Sequence, residues 1–184
     1  MESLSGSTSV RRIETPRFIL RTLQIEDASA TYLGWFADPV VRRFIVAARD
    51  TQTVRSLQAF IAEKYASPQA ELFGIFVKDS GLHIGNIKFE PIDAAMQRSI
   101  VGVLIGNAAW RGRGVFREVY PNAAQWLLGT RGIREFWLSV VRDNIAALKS
   151  YRAAGFAEDA LPASFGSARP DSICLKHVIA NDDG

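Results

Sequence analysis

The chain has 184 residues, 48% of them hydrophobic and 22% charged, a composition that supports one globular domain with a full core and excludes a disordered chain. Its formal net charge of +3 comes from scattered Lys and Arg residues, so no concentrated basic face for nucleic acid is expected. A single cysteine, Cys174, excludes an internal disulfide, and one thiol with two histidines, His83 and His177, makes no metal site of usual spacing.

The segment from Met1 to Val10 is polar and lacks the apolar core of a signal peptide, and no stretch approaches the ~20 apolar residues of a membrane span. A cytoplasmic protein is expected, one domain over residues 1–184, with residues 1–12 as a flexible start. Phe18 to Leu20, just after Pro16, reads as a first strand. Ala28, Tyr32 and Trp35 or Phe36 recur at helical spacing within Glu26 to Phe36, Asp38-Pro39 interrupts, and a short helix follows around Val40 to Ile45. Val54, Leu57, Ile61 and Tyr65 give a third helix with Thr53 as its cap.

Leu72 to Val77 and Leu82 to Phe89 flank the turn Asp79-Ser80-Gly81 and predict an antiparallel hairpin. Ile100 to Ile105 is the next strand. A long helix is expected from Gly114 to Leu128, since Val115, Val119, Ala123, Trp126 and Leu127 share a face, with Pro121 kinking or restarting it. Phe136 to Val141 reads as a strand covered on both faces. Asn144 caps a further helix carrying Ile145, Leu148 and Tyr151, Gly155 stops it, and a last strand centres on Ile173 and Leu175. This order predicts an α+β fold with a mixed, mostly antiparallel central sheet flanked by helices.

The stretch Trp110-Arg111-Gly112-Arg113-Gly114-Val115 lies between a strand and a helix start. Its glycines let backbone approach a ligand closely, and the free amides of the helix start favour an anion there. Arg111 and Arg113 add charge for a phosphate. Taken alone, such a stretch also suits a solvated turn. It matches neither common nucleotide loop, since Arg117 stands where a third glycine would fall.

Here the chain resembles the GNAT N-acetyltransferase superfamily, whose hallmark is Gln/Arg-x-x-Gly-x-Gly/Ala between the fourth strand and the following helix. Arg111 and Gly114 match it, and Phe116 replaces the final small residue. The resemblance runs from Thr15-Pro16-Arg17-Phe18-Ile19-Leu20-Arg21 through Ile84-Gly85-Asn86-Ile87 to Ala154-Gly155-Phe156, and it points to the branch with ribosomal-protein N-terminal and amino-sugar acetyltransferases. It implies acetyl-CoA as co-substrate, with the pyrophosphate on the amides of Gly112, Arg113, Gly114, Val115 and Phe116. It also implies that two strands, Ile100 to Ile105 and Phe136 to Val141, splay around the pantetheine, held by main chain at Leu104 and Ile105 and by Asn144. Tyr151 is then the proton donor to the departing thiolate, a role that a phenol with a pKa of ~10 can fill at neutral pH.

The incoming amine must lose a proton before attack; a carboxylate (Glu90 or Asp93), His83 or a water chain could take it, with Glu90 named as the catalytic one. The resemblance leaves the acceptor open among an amino sugar, a protein N-terminus and a small amine; the strand ends look most like amino-sugar enzymes. Homodimerisation is also left open, and neither nucleic acid nor membrane is expected as a partner. The alternative is a non-catalytic acyl-CoA-binding or partner-binding module of the same fold, which a Phe116 crowding the pyrophosphate would favour.

Overall fold

The computed structural model describes residues 10–180. The first strand, β1 (Arg12–Glu14), pairs with β2 (Phe18–Thr22). Of the start expected to be flexible, residues 1–9 lie outside the described ones, whereas Arg12 faces Arg21 and Ile13 faces Leu20. Three short residues show no periodicity of their own, and only the neighbouring strand makes them extended.

The expected helix over Glu26 to Phe36 is divided. Asp27 accepts from the Gln24 amide and holds a tight turn at Ile25–Asp27. Ser29 then caps α1 (Ala30–Trp35) by accepting from the Tyr32 amide. Asp38 caps α2 (Pro39–Phe44), with Pro39 at its first position, where a missing N–H costs nothing. Thr53 caps α3 (Val54–Ala66). Next come the hairpin of β3 (Glu71–Val77) and β4 (His83–Asp93), then β5 (Arg98–Ile105).

The long helix α4 (Val115–Arg131) runs on through Pro121, so the expected restart does not occur. Pro121 sits on the exposed side while Val115, Val119, Ala123 and Leu127 are buried, so the helix keeps its core face across the proline. After it come β6 (Glu135–Val141), α5 (Ile145–Ala153), the two-residue β7 (Ala157–Glu158) and β8 (Ser172–Val178). Strand β6 is not covered throughout, since Ser139 is exposed.

The eight strands form one sheet in the order β1-β2-β3-β4-β5-β6-β8-β7, and every neighbouring pair is antiparallel except β5 with β6. Strand alternation divides the core between the faces. Phe73, Ile75 and Val77 of β3 join α4 and α5 in the larger cluster, while Leu72 and Phe76 join α1 and α3 in the smaller. Strand β5 divides likewise, with Val103 and Ile105 packed on the α4 side and Leu104 on the α1 side. Among the described residues no helix is long and apolar enough to cross a membrane.

Candidate active site

The parallel pairing of β5 with β6 covers only Arg98 with Glu135, Ser99 with Phe136 and Ile100 with Trp137. Beyond that the strands part. Leu138 to Val141 pair on with β8 alone and Val101 to Ile105 with β4 alone, leaving a wedge that opens toward the strand ends. A cleft of about 640 Å³ borders the unpaired end of β5, lined by Val103 to Ile105, α2, the start of α4 and one side of α5.

At the closed end of the loop after β5, Gly112 has φ 71° and Gly114, which precedes α4, has φ 73°. A side chain at either position would strain the backbone, which explains the glycines. The first helical bond runs from the Glu118 amide to the Gly114 carbonyl, so the amides of residues 115–117 have no acceptor within the helix and mark an electropositive end on the cleft.

Two charged clamps fix this loop. Glu118 accepts from the Arg17 amide at 2.7 Å, the Arg17 guanidinium at 2.6 Å and the Thr15 hydroxyl at 2.7 Å, and Arg17 also donates to the Arg113 carbonyl at 3.0 Å. Partial burial works against the Glu118 charge, but these donors outweigh it and hold the carboxyl below its usual range. On the other side Arg111 donates to the Ile105 carbonyl at 3.0 Å, to the Gly106 carbonyl at 2.9 Å and to Asp38 at 3.1 Å. Arg111 was expected to meet a phosphate; its guanidinium is instead committed to main chain and to the cap of α2. Arg113 is exposed, with its guanidinium 5.7 Å from the Trp110 ring centre.

Phe116 turns inward. It is 5% exposed, stacked on Tyr120 at 5.1 Å and edge-on to Tyr151 at 4.9 Å. Tyr120 in turn lies 2.7 Å from His177 Nδ1 through its hydroxyl. Tyr151 lines the cleft, and burial pushes its hydroxyl up to about 12, so it carries its proton across the neutral range. Asn144 also lines the cleft while its Oδ1 accepts the Ala147 amide, so α5 presents both residues from one end-capped turn.

The structure brings Leu104, Ile105, Arg111, Gly112, Gly114, Val115, Phe116, Asn144 and Tyr151 to one cleft. Glu90 is not among them. Val103, the lining residue of β5 nearest the paired end, faces Ile87, and Glu90 lies three residues further along β4, about 10 Å away at ~3.3 Å per residue. Burial opposes its charge, yet hydrogen bonds from Lys64 at 2.8 Å and Lys88 at 2.7 Å prevail and keep it ionised and occupied. Asp93 pairs with Arg98 at 3.5 Å, and Cys174 is buried in β8.

His83 sits outside the cleft in a box of Phe76, Trp35 and Tyr32. Its Nε2 lies 3.1 Å from the Gly85 carbonyl and 2.8 Å from Asn86 Oδ1, two acceptors, which assigns the proton to Nε2. Sequence reasoning missed the α2 wall of Val40, Val41, Phe44 and Ile45, and also Trp110, Arg117, Lys149 and Ser150. The wall carried a signal, because the apolar run after Asp38-Pro39 was read as a helix, but nothing local says where that helix docks.

Residues 17–157 match the Acetyltransferase (GNAT) domain. The chain is 25% identical over 157 residues to the uncharacterized N-acetyltransferase p20 of Bacillus licheniformis, covering 84% of this chain and 87% of that one. Among solved structures, the ribosomal L7/L12 α-N-protein acetyltransferase RimL in complex with coenzyme A superposes with a TM-score of 0.78 at 14% identity, over 92% of this chain and 98% of that one. The microcin C7 self-immunity acetyltransferase MccE, in complex with acetyl-CoA and AMP, gives 0.74 at 16% identity over 89% and 93%. At such identities the structures speak for the fold alone, whereas the domain match spans most of the sequence: the chain belongs to the GNAT acetyltransferase family.

Proposed function

We propose that the chain is an N-acetyltransferase that binds acetyl-CoA in the wedge between β5 and β6 and transfers the acetyl group to a primary amine. The observation that carries this reading is the abrupt end of β5–β6 pairing after Ile100, with the unbonded amides of α4 at its rim. The thioester supplies an activated acyl group. The loop from Gly112 to Phe116 receives the pyrophosphate on its amides, with Arg113 and Arg117 exposed nearby. Main chain at Leu104 and Ile105, together with Asn144, orients the pantetheine and polarises the carbonyl. Tyr151 holds a proton for the thiolate.

No Asp, Glu or His lines the cleft among the described residues, so Glu90 is withdrawn as base and water takes the amine's proton. The non-catalytic reading rested on a Phe116 that crowds the loop. Phe116 instead packs on Tyr120 and Tyr151, beside the proposed acid. Calorimetric titration with acetyl-CoA, followed by free-thiol release on adding amines, tests the proposal. Binding with amine-dependent release is expected, and an absence of binding at millimolar acetyl-CoA overturns it.

A further inference from the structure

Helix α2 bridges the open end of the wedge. At its start, Asp38 is tied by Arg111 to the carbonyls at the end of β5; at its finish, Arg43 lies 3.5 Å from Asp143, just beyond β6. The helix therefore crosses from one splayed strand to the other, and the side chains it gives to the cleft, Val40, Val41, Phe44 and Ile45, are all apolar. Leu104, on the same side of the sheet as α1, continues that surface.

The charged side chains that line the cleft have one sign. Among the described residues the cleft is lined by Arg111, Arg117 and Lys149 and by no carboxylate. Of the carboxylates that flank the lining residues in sequence, Asp38 is held by Arg111 and Glu118 by Arg17, while Asp143, 3.5 Å from Arg43, is exposed to solvent and lines no part of the cleft. A ligand with two or more ammonium groups would shed water from each without meeting a partner, a cost that apolar contact cannot offset. A ligand ringed with hydroxyls would meet the same lack of acceptors along α2. An amine with one ammonium sheds water from a single charge, and an apolar group beside it would be buried on the wall.

We infer that the acceptor is an apolar primary monoamine, seated with its hydrocarbon against α2 and Leu104, and that polyamines and amino sugars are discriminated against. This rests on the proposed acetyl-CoA site and narrows its acceptor. It also turns away from the amino-sugar likeness of the strand ends.

The test uses the full chain saturated with coenzyme A, which cannot react. Uptake of coenzyme A is measured first by calorimetry, and failure there sinks the proposed function and this inference with it. Into the loaded protein, 2-phenylethylamine, spermidine and glucosamine are then titrated. 2-Phenylethylamine should bind at least about tenfold more tightly than either of the others; equal or tighter binding of spermidine or glucosamine, or no binding of 2-phenylethylamine, overturns the inference. A second arm uses Val40→Glu, a position half exposed at the rim, where a carboxylate near a helix start is tolerated. It should tighten spermidine and weaken 2-phenylethylamine, and an unchanged spermidine affinity refutes the placement of the acceptor on α2.

Discussion

The loop that opens α4 and the short helix α2 border the same cleft on different terms. The loop is held by two arginine clamps, has two left-handed glycines and turns Phe116 into the core. Helix α2 has six residues, buries only Val41 and leaves Val40 half exposed. A pyrophosphate needs amides in fixed directions, so its cradle must be rigid before the ligand arrives. A hydrocarbon asks only for dry surface, so its wall can be small and lightly anchored.

Four changes would break or sharpen this contrast. Tyr151→Phe removes only a hydroxyl, so coenzyme affinity should persist while single-turnover transfer slows by ~10²- to 10⁴-fold; an unchanged rate would place the thiolate's proton elsewhere. Phe116→Ala should cost about 3 to 5 kcal/mol in denaturant unfolding, since a ring nearly out of contact with water leaves a cavity. Because that ring also abuts Tyr151, transfer should slow as well, and a variant both as stable and as fast as the parent would show that the loop does not depend on the core.

Gly114→Val forces a branched residue to φ 73°, which costs about 1 to 3 kcal/mol of strain. Acetyl-CoA binding by calorimetry should therefore weaken about tenfold or more, and parent-like affinity would mean the amides are not the anion's seat. The smallest effect concerns Glu118. Its carboxyl is held below its usual range, so its contribution to stability is present above the unfolded value of about 4.3 and fades as pH falls through the lower folded value. The gap in urea midpoint between the parent and Glu118→Gln should thus be wider at about pH 6 than at about pH 3; a constant gap would show that the ion pair with Arg17 is not its source.

The α4 and α5 side of the cleft was legible in the chain because its devices are local. Gly114 before a helical face and Asn144 capping the helix of Tyr151 are near-neighbour signals, and both stand where the spacing put them. The α2 side was not legible for the opposite reason. Arg111 meets Asp38 across 73 positions, and no periodicity announces such a pairing. Strand β1 escaped notice because three residues extend only by leaning on β2, and the turn before α1 because Asp27 spends its carboxylate on Arg21 and the Gln24 amide rather than on a longer helix. Glu90 was misplaced since distance along a strand, not residue type, decides what reaches a cleft.

Arg111 belongs to both walls, since one guanidinium holds the carbonyls of Ile105 and Gly106 and the cap of α2. The two proposed ligand sites therefore share one structural tie. If filling the phosphate cradle steadies Arg111, it steadies the α2 wall by the same stroke, and reciprocity then requires that an amine on that wall tighten the grip on coenzyme by an equal factor. Replacing Arg111 would uncouple the pair, so that each ligand binds as though the other were absent.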